Sequence, residues 1–124
     1  MLEFFEANQT AGIATIYDRH ILFNTKLIPF FENAYKVRVA LDKDDKKIYV
    51  FMIDKDYALS GELSESSLLS ISVSKSYVRI ASKPLIEFIS NTFNLKINKG
   101  ESIGFKANYD NNKKCIIIDL GGEV

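Results

Sequence analysis

The chain has 124 residues, of which 47% are hydrophobic and 26% are charged, and its formal net charge is zero. This composition is typical of a folded globular protein and excludes an intrinsically disordered chain. A chain of this length buries roughly two thirds of its unfolded surface, so it needs no disulfide or metal to hold a core. A neutral chain is also no general electrostatic attractor of nucleic acid.

The sequence shows no feature that predicts export or insertion into a membrane. The first ten residues have neither the basic n-region nor the long apolar h-region of a signal peptide. No apolar run approaches the roughly 18 residues that span a bilayer. The lone cysteine, Cys115, has no partner for an internal disulfide, which is compatible with a reducing compartment. We therefore expect a cytoplasmic protein.

In chain order, residues 1–10 form an N-terminal extension, with a short helix predicted in the run LEFFEAN. Residues 11–56 then predict a first structural unit. β-branched residues recur at most alternate positions of 11–17, which indicates a strand. The polar turn Asp18-Arg19 follows, and residues 21–23 predict a second strand.

The rest of the first unit predicts a helix and a hairpin. Pro29 lies within the helical segment, so this helix should begin late or be distorted. Residues 37–39 and 48–51 predict the strands of the hairpin, on either side of a turn rich in Asp and Lys. Residues 57–68 are rich in serine and predict a linker with one helical turn.

Residues 69–120 predict a second unit with the same series of elements. Strands at 69–74 and 78–80 precede a helix for which Ser82 is a suitable N-cap and Pro84 a suitable first-turn residue. Five apolar residues at helical spacing predict the buried face of that helix: Leu85, Ile86, Phe88, Ile89 and Phe93. The chain closes with a second hairpin and a loose tail: 103–107, 115–120 and 121–124.

The two units align with each other, which predicts an internal duplication. Three segments match in the same order: 20–26 with 77–83, 27–35 with 85–93 after Pro84 is skipped, and 44–50 with 111–117. Three such matches hardly arise by chance. We predict a mainly β fold with short helices, of the α+β class, in which tandem strand-strand-helix-hairpin repeats build one pseudo-symmetric domain of residues 11–120.

No group of residues predicts catalysis, a metal site or a cofactor. One histidine and one cysteine cannot build a closed zinc site, and no Gly-rich phosphate loop precedes a helix. The acidic run at 42–45 lacks the remaining ligands of a calcium loop. Cys115 lies in an apolar run and is predicted to be a small buried hydrophobe, and His20 to be an exposed turn residue. We therefore expect no enzymatic activity.

Residues 75–120 resemble the SpoVT/AbrB-like domain family. Val78-Arg79-Ile80 stands at the family's first strand, residues 84–93 at its helix, and Gly100-Glu101 at its Gly-Asp turn. Residues 12–53 resemble a degenerate second copy, so the chain is similar to the MraZ-like proteins, which carry two copies. The resemblance implies an interleaved swapped-hairpin β-barrel and a homo-oligomer. A unit of about 45 residues is indeed too small to bury a core by itself.

The same resemblance implies a bacterial or phage transcription regulator that binds double-stranded DNA. Residues 71–119 carry more basic than acidic side chains, in agreement with a modest basic surface. The resemblance makes seven residues in and around the first hairpins candidate DNA contacts: Arg19, His20, Lys26, Lys75, Tyr77, Arg79 and Lys83.

Departures from the family pattern favour an alternative function. The position that holds Arg in the family holds His20 in one copy and Tyr77 in the other. The alternative is a non-catalytic oligomerisation or protein-interaction module on the same fold that has lost its DNA contacts. Surface charge distinguishes the two. Convergence of both first hairpins on one basic face would favour DNA, whereas acidic side chains such as Asp18 and Glu87 within that face would favour the interaction module.

Overall fold

The computed structural model of the chain describes Leu2 and residues 11–124. Apart from Leu2, the predicted N-terminal extension with its short helix lies outside the described residues. Within these described residues, eight antiparallel strands form one sheet, which curls into a half-barrel accompanied by a few short helices. The prediction of a mainly β fold with short helices is therefore confirmed.

The first half of the chain contributes four strands and a 3-10 helix. They are β1 (Ile13–Tyr17), β2 (His20–Phe23), the 3-10 helix Thr25–Phe31, β3 (Lys36–Asp42) and β4 (Lys47–Ile53). Two short elements follow, helix α1 (Lys55–Ala58) and a 3-10 turn (Glu65–Ser67). The predicted linker at 57–68 thus does contain helical turns.

The second half contributes the remaining strands and the longer helix. They are β5 (Ser72–Val73), β6 (Val78–Ala81), α2 (Lys83–Phe93), β7 (Ser102–Asp110) and β8 (Cys115–Glu123). Because β8 continues to Glu123, the prediction of a loose tail at 121–124 is wrong. The N–H of Val124 donates to the carbonyl oxygen of Gly104 at 2.9 Å and so holds the end of the chain against β7.

Strands from the two halves of the chain are interleaved in the sheet. The strand order is β3-β4-β8-β7-β1-β2-β6-β5. Consequently β4 lies beside β8, β7 beside β1, and β2 beside β6, and each of these seams joins one half of the chain to the other. Neither half therefore has a sheet of its own.

One part of the core lies where β2 and β6 pair. Alternation along a strand sends every second side chain to the same face. Ile21 lies opposite Ile80 and Phe23 opposite Val78, and all four side chains are fully buried. The ring of Phe23 also packs against that of Phe31, with the ring centroids 5.0 Å apart. Burial of apolar surface, the dominant favourable term in folding, thus stabilises this seam between the two halves.

Cys115 begins β8 and is fully buried. Burial raises the pKa of its thiol, and Asp110 raises it further. The thiol therefore stays protonated and unreactive at neutral pH. The prediction of a small buried hydrophobe at this position is confirmed.

Helix α2 begins as predicted but does not bury all of the predicted residues. The hydroxyl of Ser82 accepts the N–H of Leu85 at 3.2 Å, and Pro84 lies in the first turn. Leu85, Ile86 and Ile89 are buried, whereas Phe88 is 57% exposed. The prediction that Phe88 belongs to the buried face is therefore wrong. No helix within the described part of the chain is long and apolar enough to cross a membrane.

The 3-10 helix of the first half has the distortion that Pro29 predicted. It does not begin late, since its first residue is Thr25. The distortion is that the segment forms a 3-10 helix and not an α-helix. The residue before it, Asn24, joins it to β1. Its side chain accepts the N–H of Ile13 at 3.1 Å and donates to the carbonyl oxygen of Ala11 at 2.7 Å.

The turns of the two hairpins have the same geometry. Lys46 and Lys114, which directly precede β4 and β8, are left-handed with φ of 55° and 53°. Asp42 and Asp110, which end β3 and β7, each accept an N–H from the residue three positions later, at 3.1 Å in both turns. The structure thus aligns Lys46 with Lys114. The sequence alignment of 44–50 with 111–117 pairs Lys46 with Lys113, so it is shifted by one residue from the alignment of the two turns.

Candidate interaction surface

The turn between β1 and β2 lies against the beginning of helix α2. The N–H of Ser82 donates to the carbonyl oxygen of Arg19 at 3.1 Å, which fixes the tip of the hairpin beside the helix. A groove of about 560 Å³ opens between this tip, α2 and the loop after α2, and we call it the hairpin groove. Its charged and amide side chains are Asp18, Arg19, Lys83, Glu87, Asn91, Asn98 and Lys99.

Basic and acidic side chains are mixed in the hairpin groove. Arg19, Lys83 and Lys99 supply positive charge, and Asp18 and Glu87 supply negative charge. The Nε atom of Arg19 is 3.9 Å from Oδ2 of Asp18, with the two side chains 67% and 28% exposed. An ion pair this exposed contributes little to stability, so both charges remain available to a ligand.

Three of the seven predicted DNA contacts lie at the hairpin-groove end of the β2–β6 pair. Arg19 and Lys83 line the groove itself. His20 begins β2 and lies opposite Ala81, two residues before α2. These three residues therefore form one group around the first hairpin.

Three others lie at the opposite end of the same strand pair, because β2 and β6 are antiparallel. Phe23 pairs with Val78. Lys26 follows Phe23 in the 3-10 helix, and Lys75 and Tyr77 lie just before Val78. The turn of the β1–β2 hairpin and the turn of the β5–β6 hairpin therefore lie at opposite ends of the pair. The two hairpins do not converge on one basic face.

Arg79 lies between these two groups. It is exposed on the outer face of β6, opposite Leu22 of β2. The seven predicted contacts thus form two separate groups with Arg79 midway between them, and they do not make one continuous basic patch.

His20 is half-buried at the start of β2 and is not the exposed turn residue that the sequence predicted. Its ring stacks on that of Tyr17, with the centroids 4.4 Å apart and the planes 14° from parallel. Burial lowers the pKa of His20 from its ordinary value of 6.5, the Arg79 guanidinium lowers it further, and Asp18 acts in the opposite direction. The folded chain therefore favours the neutral imidazole.

We expect the lowered pKa of His20 to make the folded chain less stable as the solution becomes mildly acidic. The unfolded chain binds the proton more readily, so the stabilisation is present above pH 6.5 and is lost as the pH falls through the folded pKa. Urea unfolding at about pH 7.5 and about pH 5.5 measures this change. His20→Gln should reduce the difference between the two pH values, and an undiminished difference in that variant would contradict the role of His20.

A second groove runs along the other side of α2. It encloses about 270 Å³ between α2, β3 and residues 66–69, and we call it the strand groove. Phe88 and Pro84 line it from the helix, and Arg38 and Val39 line it from β3. Sequence reasoning missed this groove because Phe88 has the helical spacing of a core residue. Its exposure depends on which side of the helix meets the sheet.

The two grooves are lined by charged, polar and apolar side chains. Within residues 11–124 and Leu2, no group of three or more His, Cys, Asp or Glu residues is arranged to hold a metal ion. No protein-family model matches the chain, and neither a curated protein nor a solved structure matches it.

Proposed function

We propose that this chain is a non-catalytic protein-interaction module on a duplicated swapped-hairpin barrel. The observation that carries the proposal is the mixed charge of the hairpin groove, where Asp18 and Glu87 lie among Arg19, Lys83 and Lys99. A DNA backbone presents closely spaced negative charges, which both carboxylates would repel. A protein surface carries charges of both signs and complements such a groove.

The order of the elements supports the duplication. Each half runs strand, strand, helix, strand, strand, and both hairpins close with the same turn geometry. In this duplication β1 corresponds to β5, β2 to β6, β3 to β7 and β4 to β8. Replacing each strand by its counterpart leaves the pairing of β2 with β6 and that of β4 with β8 unchanged. The pairing of β1 with β7 then corresponds to contact between β3 and the segment before β5. A single bridge between Val37 and Leu69 lies at that place.

An approximate two-fold axis accounts for two further pairings. Leu22 lies opposite Arg79, and these are matching positions when residues 20–26 are aligned with 77–83. Tyr49 lies opposite Ile117, and these match when Lys46 is aligned with Lys114. Equivalent residues meet each other only on a symmetry axis, so both observations support interlocked repeats that complete one barrel.

DNA binding, which the resemblance implies, is the second candidate function. The observation that favours it is Arg79, whose exposed side chain lies between the two basic groups. Phosphate contacts supply most of the affinity for DNA, and a central arginine with Lys75 and Lys26 beyond it would provide several. The regulator would then bind across the outer face of the β2–β6 pair.

Fluorescence anisotropy with a labelled AT-rich duplex, at about 20 mM and about 150 mM KCl, separates the two functions. We expect the wild-type chain to give no saturable change at either salt concentration. The double variant D18N/E87Q should bind detectably at low salt, because the lysines and arginine of the hairpin groove are then unopposed. D44N/D45N makes the same change of charge in the β3–β4 turn and serves as the matched control, which should not bind.

Two outcomes would contradict the proposal. Saturable wild-type binding at low salt that Arg79→Ala weakens, with a shallower salt dependence, would replace the interaction module by a DNA-binding regulator. An equal gain of binding in both double variants would show that net charge alone matters, and it would remove the hairpin groove from the argument.

A further inference from the structure

Strand β3 is paired along one edge, and among the described residues its other edge has almost no partner. β4 pairs with β3 over its whole length, from Lys36 opposite Ile53 to Asp42 opposite Lys47. On the other edge the structure has a single bridge, in which Val37 and Leu69 exchange two backbone hydrogen bonds of 2.9 Å and 2.8 Å. Beyond Val37 this second edge faces the strand groove.

Within the part of the chain that the structure describes, this bare edge presents backbone groups without a partner. In an antiparallel pair, the N–H and C=O groups of successive residues point alternately toward and away from the neighbouring strand. Those of Val37 point to Leu69, so those of Val39 and Leu41 also point away from β4. Among the described residues, no backbone hydrogen bond reaches Val39 or Leu41 from that side.

On β7, the corresponding strand of the other half, the same edge is covered as far as Ala107, the counterpart of Val39 when Lys46 is aligned with Lys114. β1 pairs with β7 over five positions, from Ile13 opposite Lys106 to Tyr17 opposite Ser102, and Gly12 accepts the N–H of Ala107 at 3.0 Å. Beside β3, the segment before β5 meets the sheet at Leu69, and the residues that precede Leu69 form the 3-10 turn Glu65–Ser67 and not a strand. The counterpart of Val39 is thus covered by the extended segment that leads into β1.

The walls of the strand groove suit the side chains of such a strand. Phe88, 57% exposed, and Pro84 present apolar surface beside the β3 edge. Arg38, exposed at the start of the bare edge, presents a positive charge. Free backbone donors and acceptors beside an apolar wall are the features by which proteins bind a peptide as an added strand.

We propose that an extended segment of a partner protein binds along β3 as an additional strand, hydrogen-bonded to Val39 and Leu41. Its apolar side chains contact Phe88 and Pro84, and an acidic side chain pairs with Arg38. The inference rests on the proposed function as an interaction module, for which it names the kind of partner. It also gives a role to an edge that no other described residue covers beyond Val37 and that would otherwise invite aggregation.

A second copy of the chain fits the strand groove less well than a single peptide. Each copy carries α2 and the turn Glu65–Ser67 beside its own β3. Edge-to-edge pairing of two β3 strands would bring these elements of both copies together, whereas one extended chain fits between them. The homo-oligomer that the resemblance implies is therefore predicted to form through a surface other than the β3 edge.

Amide exchange measured by NMR tests the inference on the intact chain. The probes are nine-residue peptides in which valine and threonine alternate around a central glutamate, alanine or lysine. We expect the glutamate peptide to slow exchange of the Val39 and Leu41 amides by about tenfold or more, because they gain acceptors. The Ala40 amide, which points to β4, should not change. If no peptide slows exchange at Val39 and Leu41, the inference is overturned.

Two proline variants provide a matched comparison. Val39→Pro removes an N–H from the bare edge of β3 without breaking a bond to β4, and it should weaken peptide binding by about tenfold or more. Val73→Pro makes the same change on the outer edge of β5, away from the strand groove, and should bind like the wild type. Equal binding by both variants would reject the β3 edge, and the exchange experiment decides the matter if Val39→Pro does not fold.

Other outcomes identify a different occupant or a different failure. Protection of the same amides without peptide, rising with protein concentration and accompanied by a dimer mass in light scattering, would assign the edge to a second copy. Saturable wild-type binding in the DNA titration would reject the proposed function itself. Failure of the peptides without DNA binding would reject only the added strand.

Discussion

Replacing Phe23 with alanine is expected to lower the free energy of unfolding by about 3–5 kcal/mol. The Phe23 side chain is fully buried, lies opposite Val78 on the seam between β2 and β6, and packs against Phe31 at 5.0 Å between ring centroids. The variant loses the transfer energy of the ring and leaves a cavity that both halves of the chain line. Urea unfolding followed by circular dichroism measures the loss.

Phe88→Ala is the matched control for this experiment, since it removes the same ring from an exposed site. Phe88 is 57% exposed on α2, so its loss should change the free energy of unfolding by no more than about 0.5 kcal/mol. A loss below about 1 kcal/mol for Phe23→Ala, or equal losses in the two variants, would contradict the position of the core.

Gly12→Ala is expected to lower the free energy of unfolding by about 2–4 kcal/mol. A Cβ atom at Gly12 would lie only 2.1 Å from the carbonyl oxygen of Ala107, a backbone atom that cannot move alone. The clash would separate β1 from β7 and break the 3.0 Å hydrogen bond from the N–H of Ala107 to Gly12. The same unfolding experiment measures this loss.

Gly121→Ala is the control for the glycine variant. A Cβ atom there meets only a carboxylate oxygen of Asp119, at 3.3 Å, at the end of a side chain that can turn away. Gly121→Ala should lower the free energy of unfolding by less than about 1 kcal/mol. Halves that folded independently would not depend on the contact between Gly12 and Ala107. Equal costs for the two variants would therefore argue against a tight seam between them.

Local patterns in the sequence predicted much of the secondary structure. The second strands and the hairpins were found because alternating apolar residues and polar turns leave a mark within a few residues. Ser82 and Pro84 predicted where α2 begins, because a hydroxyl cap and a first-turn proline satisfy the backbone locally. Pro29 predicted a distorted helix because a proline inside a helix removes a backbone N–H donor and clashes with the preceding turn.

The errors have a different physical origin. Phe88 has the spacing of a buried residue, but the side of α2 that carries it faces a groove and not the sheet. Residues 121–123 are mostly glycine and lack strand propensity, yet they belong to β8 because they lie against β7. In each case a neighbour distant in sequence decided the outcome, and local propensity was overruled.

The candidate site shows the same division. Sequence reasoning selected Arg19 and Lys83, which do line one groove, and it named Asp18 and Glu87 as the acids that would count against DNA. It treated the first hairpins of the two copies as one potential face. The antiparallel register of β2 with β6 sends their tips to opposite ends of the strand pair.

By itself the sequence determined the series of strands, turns and helices in each half, because hydrophobic period, caps and turn residues act over a few positions. Only the tertiary structure decided how the halves interleave, which charges share the hairpin groove and which edge of β3 stays bare. Those features depend on strand register and on contacts between residues far apart in the chain, such as Leu22 with Arg79 and Val37 with Leu69. A local pattern cannot predict such contacts, because a strand shows the same alternation of apolar and polar residues whichever strand it pairs with.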